Sequence, residues 1–302
     1  MKFDEDTFEQ AVIELFENMG YTHIYAPDMN RTDYSRPLLD DVLRDCLVRL
    51  NRGLPAVAID EAILKLNDFD AGSLLQKNII FMDYLQNGIT VKYAVKGEER
   101  SSVVKLIDYA DADKNDFYVV NQYTFVENGN NRRPDIILFI NGLPLVLIEL
   151  KNGDVHIEQG YTDNLTRYKK AIPDLFTYNA FLIVSNGSKT RIGSTFASWE
   201  FFFPWLRVTD EKQPIDKERI EAYGRSLDYA IRGLLKPDKL IDYIDNFIFF
   251  YNDAVKICAK NHQFLGVNHA IDRFRYLREQ AETGTLSDEH GKLGVFWHTQ
   301  GS

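Results

Sequence analysis

Asp135, Glu149 and Lys151 are the residues whose types and spacing point most directly to chemistry. Asp135 follows Pro134 and opens an apolar run over residues 136–140, while Glu149 lies near the end of a second, residues 145–150, with Lys151 two positions on. Runs this apolar predict buried strands. A charge at the end of a buried strand is costly unless it is paired or holds a metal. Side chains two apart in a strand share a face, so Glu149 and Lys151 point the same way. Between the runs, Asn141-Gly142 signals a tight hairpin. A strict two-residue loop pairs Ile140 with Leu143 and Asp135 with Ile148, leaving Glu149 on the other face. Bringing Asp135 opposite Glu149 therefore requires an odd-length loop or a one-residue bulge near residues 142–144.

The surrounding pattern must supply the elements that hold these residues. Helical periodicity covers residues 4–19, 38–50, 56–66, 74–85 and 158–172, and strands are expected at 89–95, 103–109, 117–126 and 181–185. A turn is expected over residues 97–100. Residues 198–203, with Trp199 and nearby Trp205, read as an aromatic docking segment, and residues 217–260 read as helical. Central strands with helices before and after predict an α/β or α+β fold, a mixed sheet flanked on both faces.

At 302 residues the chain can bury a large core and form more than one folding unit. No apolar stretch reaches about 18 residues, which argues against a membrane helix. The acidic, amphipathic N-terminus is unlike a secretory signal. Cys46 and Cys258 sit in helical patterns and read as small buried hydrophobes of a reducing, cytoplasmic protein. A net charge of −10 argues against nucleic-acid binding, but residues 127–200 balance eight Lys/Arg against eight acids. Two of those acids are Asp135 and Glu149. His23, His156 and His290 lack metal-ligand spacing, and no Ser-His-Asp or nucleophilic Cys arrangement stands out.

The Pro134-Asp135 and Glu149-Leu150-Lys151 spacing resembles that of PD-(D/E)xK nucleases. The resemblance implies that Asp135 and Glu149, with the Leu150 carbonyl, hold Mg²⁺ (or Mn²⁺), and that Lys151 orients water and offsets charge at phosphorus. The wider text resembles the N-terminal endonuclease region of the motor (restriction) subunit of type I restriction-modification enzymes. It is carried by Leu47 to Leu50 with Asn51, Gly53, Leu54 and Pro55; by Asn115, Asp116, Phe117, Val119, Val120, Asn121 and Gln122; by Arg132, Arg133, Pro134, Asp135 and Ile136; by Asn141, Gly142, Pro144, Leu145, Val146 and Ile148 through Asn152; and by Ser185, Asn186, Gly187, Gly193 and Ser194. That family carries Gln-x₃-Tyr on the helix after the Glu-x-Lys strand. Tyr168 matches the Tyr, but Asn164 stands in place of the Gln. Arg132, Arg133, Asn164 and Tyr168 are thereby expected to contact DNA or support the site.

Residues 292–302 resemble the strand entering a helicase Walker A loop, with Gly301 and Ser302 as its first part, and Gln263 resembles the motor's adenine reader. The resemblance implies a PD-(D/E)xK nuclease fold in residues 1–210, a helical linker in 211–260, and the truncated start of a RecA-like motor domain in 261–302. ATP would bind only in the full-length subunit. The expected function is Mg²⁺-dependent cleavage of double-stranded DNA after ATP-driven translocation, with modification (methyltransferase) and specificity subunits as partners. The alternatives are a non-catalytic docking module for the methyltransferase core, or an independent nuclease of the repair or resolvase type.

Overall fold

The computed structural model describes residues 5–210, 212–284 and 292. Helix α1 (Glu5–Glu17) leads to strand β1 (Thr22–Tyr25), and three helices follow, α2 (Asp40–Leu50), α3 (Ala56–Asn67) and α4 (Leu74–Asn87). The hairpin β2 (Ile89–Val95) and β3 (Glu98–Val104) precedes β4 (Phe117–Asn121). A small hairpin, β5 (Phe125–Glu127) and β6 (Asn130–Arg132), delivers the chain to β7 (Ile136–Ile140) and β8 (Leu143–Leu150). Next comes a π-helical stretch, Gly160–Leu165, that runs directly into α5 (Thr166–Ala171), then α6 (Pro173–Thr177), β9 (Phe181–Ser185) and β10 (Thr190–Gly193). The C-terminal part holds α7 (Lys217–Ala222), α8 (Ser226–Leu234), α9 (Pro237–Asn246), the hairpin β11 (Ile248–Tyr251) and β12 (Val255–Cys258), and α10 (Asn261–Glu282).

Six strands form the mixed central sheet that the sequence pattern predicts, in the order β1-β4-β7-β8-β9-β10. The β1–β4 and β8–β9 pairs are parallel and the others antiparallel. Both faces are covered. Ile136, Leu138 and Ile140 join a core with residues of α1 to α4, whereas Ile137 and Phe139 join a second core with Leu165 of the π-helical stretch, Tyr168 of α5 and Ile172 just after it. Burying each such aliphatic side chain contributes about 1.5–3 kcal/mol, which makes the register of β7 and β8 expensive to change.

The turn between β7 and β8 is the two-residue Asn141-Gly142, both left-handed at φ 52° and 84°. Ile140 pairs with Leu143 and Phe139 with Pro144, but Leu138 pairs with Val146, so Leu145 is an extra, bulged residue. Its effect is visible in the cores: Leu143 and Leu145 face the first core, and so do Val146, Ile148 and Leu150. The bulge thus switches the alternation of β8, and Leu147 falls on the second face instead.

Several local expectations differ from what forms. The turn expected at residues 97–100 is the two-residue Lys96-Gly97, at φ 53° and 83°, so β3 starts at Glu98 and residues 105–109 are not strand. The strand expected over 117–126 breaks at Gln122. Helix gives way to strand within 217–260: Ile248–Tyr251 and Val255–Cys258 alternate between inward and outward positions about Asn252-Asp253, both at φ 50°. Trp205 is fully buried against Tyr243 and Phe264, so it belongs to the core and not to a docking surface. Strand β1 escapes pattern reading because four residues are too few to show a period.

Lys256 points into the protein from β12. Its Nζ donates to Asn78 Oδ1 (2.9 Å), to the Asn179 carbonyl (2.7 Å) and to Thr195 Oγ1 (3.2 Å), which ties the hairpin to α4 and to loops beside the sheet. Burial lowers its pKa to about 7. The folded state then binds fewer protons than the unfolded state between about pH 7 and the ordinary lysine range, so stability rises with pH across that window. Equilibrium denaturation should show the unfolding free energy rising from about pH 7 to about pH 9 by up to about 2–3 kcal/mol. Lys256→Met should remove that increment, and an unchanged slope in the variant would show that Lys256 is not its source.

Candidate functional site

Asp135 lies at the mouth of β7, and its main chain is tied to the end of β4 by the Gln122 N–H, which donates to the Asp135 carbonyl at 3.1 Å. Because the bulge puts Ile136 opposite Ile148, Asp135 comes level with Glu149. The Asp135 carboxylate accepts the Leu150 N–H at 2.7 Å, so the acid at the head of one strand is pinned to the end of the other. Lys151 continues the line, with its own N–H donating to the Ser185 carbonyl at 2.8 Å.

Glu149 is fully buried. A carboxylate there needs close partners, since removal from water costs several kcal/mol per ion. Lys151 Nζ donates to Glu149 Oε1 at 3.0 Å and also to the Leu150 carbonyl at 2.9 Å, with the lysine side chain only 15% exposed. Asn164 Nδ2 donates to the same Oε1. Asp135, Glu149 and the Leu150 carbonyl thus form a cluster of hard oxygen donors with one ammonium bridging two of them. No group of three or more His, Cys, Asp or Glu able to hold a metal occurs among the described residues. A two-carboxylate set suits Mg²⁺, which keeps several of its waters, and suits a soft metal poorly.

The covering helix supplies the remaining contacts. Its first part is π-helical, a rare form that concentrates at functional sites. Gly160 opens it where a Cβ would lie 2.5 Å from Val184 Cγ1 and 3.5 Å from Lys151 Cγ, so only glycine lets the helix settle over Glu149 and Lys151. Asn164 and Tyr168, four residues apart, share the inner face, and Asn164 Nδ2 lies 3.3 Å from the Tyr168 hydroxyl. Burial, and then the charge of Glu149, push the pKa of that hydroxyl well above the usual tyrosine range. Tyr168 is therefore a neutral hydrogen-bonding group at ordinary pH.

The structure gathers Asp135, Glu149, Leu150, Lys151, Asn164 and Tyr168. Arg132 ends β6, with its guanidinium on the Asn131 carbonyl at 2.7 Å, close enough to Tyr168 for its charge to act on the hydroxyl; Arg133 is exposed beside it. Gln263 lies apart, with its side chain accepting the Lys260 N–H at 2.8 Å as part of the α10 N-terminal cap. Gly301 and Ser302, like the rest of the strand segment expected over residues 292–302 apart from Lys292, lie outside the described residues. Pattern reading does not single out Gly160, although a glycine just inside a predicted helix is the kind of signal that marks close backbone approach, and it names Gln122 only as one of the residues that carry the family resemblance, with no role in the site.

The chain belongs to the family described as the type I restriction enzyme R protein N terminus, whose model matches residues 2–201. It is 35% identical to the type I restriction enzyme HindI endonuclease subunit of Haemophilus influenzae, over 99% of this chain and 29% of that protein. It is 30% identical to a putative type I restriction enzyme MjaIXP endonuclease subunit of Methanocaldococcus jannaschii, over the whole of this chain and 30% of that protein. A Staphylococcus aureus type I endonuclease subunit matches over 99% of the chain at 26% identity. The chain thus spans under a third of the length of these curated relatives.

Removing the amide that supports Glu149 tests the site's electrostatics directly. Asn164→Ala should cost about 1–3 kcal/mol in urea denaturation, because a buried acceptor loses a donor. The next cation along the helix, Arg167, is exposed and paired with Asp163, and so is not placed to compensate. A change within about 0.3 kcal/mol would show that Lys151 alone satisfies Glu149.

Proposed function

We propose that this region is the DNA-cleaving part of a type I restriction endonuclease subunit, built on a PD-(D/E)xK nuclease fold. The observation that carries the reading is the bulge at Leu145, which sets Asp135 level with Glu149 and gathers two carboxylates, a carbonyl and an ammonium at one strand end. Asp135, Glu149 and the Leu150 carbonyl would hold Mg²⁺ or Mn²⁺. Such an ion supplies Lewis-acid charge at a phosphate oxygen and lowers the pKa of water. Lys151, at the same strand end, offsets negative charge as it builds on the phosphoryl oxygens. Water oxygen forms the new bond to phosphorus, the bridging P–O bond to the leaving sugar breaks, and that sugar oxygen ends protonated.

Asn164 holds Glu149 against rotation through its amide. Arg132 and Arg133 flank the site and are assigned to phosphate contacts on double-stranded DNA. In the full-length subunit, cleavage follows ATP-driven translocation by a RecA-like motor whose start is residues 261–302, with Gln263 reading adenine and Gly301 and Ser302 opening the phosphate loop. The modification and specificity subunits supply site choice.

The test uses the full-length subunit assembled with those partners. Asp135→Ala should reduce DNA cleavage by at least about a hundredfold while ATP hydrolysis persists. Cleavage that survives Asp135→Ala at the wild-type rate would overturn this reading.

A further inference from the structure

Glu9, on α1, accepts two amides from adjacent residues at the end of β4: Asn121 Nδ2 on Oε1 and Gln122 Nε2 on Oε2, each at 2.8 Å. Consecutive residues of a strand point to opposite faces, so one carboxylate can take both amides only where the chain leaves strand geometry. It does so at Gln122, which sits in the left-handed region at φ 57°. A glutamine there is strained, and such a residue persists only where its surroundings over-determine it. The carboxylate of Glu9 is one such constraint. His23, on β1, adds a further one, with Nε2 2.9 Å from Asn121 Oδ1.

The strained residue touches the site. Gln122 N–H is the group that donates to the Asp135 carbonyl, one register step beyond the Asn121–Ile136 pair. Asp135 is thus held at two points, its main chain by Gln122 and its carboxylate by the Leu150 N–H.

We propose that Glu9 is a positioning residue of the reactive centre: by clamping Asn121 and Gln122 it fixes the left-handed turn that sets Asp135 in place to hold a divalent cation. This rests on the nuclease reading above. Glu9 acts through the backbone of Gln122 and is not assigned as a ligand. Its loss should therefore weaken the site's hold on the cation without removing a donor.

The experiment measures Mn²⁺ binding to the assembled full-length enzyme without ATP or DNA, by following free Mn²⁺ through its paramagnetic resonance signal, and beside it the Mn²⁺ concentration that gives half-maximal DNA cleavage, with ATP hydrolysis as the check on folding and assembly. Glu9→Ala should weaken that binding and raise that concentration, each about tenfold, the scale of lost outer support in metal sites, and saturating Mn²⁺ should restore most of the maximal rate. Gln122→Ala, which removes the tether and still disfavours positive φ, should show the same rise. Gln122→Gly, which takes positive φ readily, should recover affinity relative to Gln122→Ala; a role for the Gln122 side chain alone would not produce that recovery. If Glu9→Ala loses ATP hydrolysis as well, the two Gln122 variants decide. Mn²⁺ binding and half-maximal concentrations within twofold of wild type for Glu9→Ala and Gln122→Ala, with Asp135→Ala inactive, would overturn this proposal and leave the nuclease reading standing. Normal cleavage by Asp135→Ala would overturn both.

Discussion

One extra residue in β8 decides what this sheet end can do. The apolar cores on the two faces fix which side chains of β7 and β8 point where, and the tight Asn141-Gly142 turn fixes the starting register. Without the bulge, those two constraints would send Asp135 and Glu149 to opposite faces. Leu145 and Val146 both turning toward the first core is the compromise that satisfies apolar burial and still aligns the acids. The bulge bends a central pair, where ladder bonds are otherwise continuous, and such features mark places where a side chain must be re-aimed.

The charges then dictate the rest of the neighbourhood. A fully buried Glu149 demands donors, and Lys151 and Asn164 provide them from the strand and from the covering helix. The helix can approach only because Gly160 has no Cβ to strike Val184. Tyr168, on the same inner face, stays neutral because burial and Glu149 both oppose its ionisation. From the other side, the β4 end reaches Asp135 through a left-handed glutamine held by α1. Elements far apart in sequence are thus committed to one small volume.

Much of this is legible in the residues. The two apolar runs, the hairpin turn and the need for a bulge all follow from strand period and the positions of Asp135 and Glu149. The bulged residue is Leu145, one past the predicted stretch, because Pro144 can sit in the regular pair opposite Phe139. What pattern cannot reveal are contacts that depend on three-dimensional closure. Lys256 reads as an ordinary charge in an apparently helical stretch, yet it is buried among amide and hydroxyl oxygens. The π-helical stretch that carries Asn164, and the clamp of Glu9 on Gln122, leave no periodic trace.

The proposed reading requires that Asp135, Glu149 and the Leu150 carbonyl, aligned by the bulge, hold a divalent cation. Anomalous diffraction from crystals soaked in Mn²⁺ tests that claim most directly. The expected result is one peak with oxygens of all three residues within about 2.0–2.3 Å of it. A well-ordered site with no peak at saturating Mn²⁺, or with the two carboxylates directed away from each other, would contradict it.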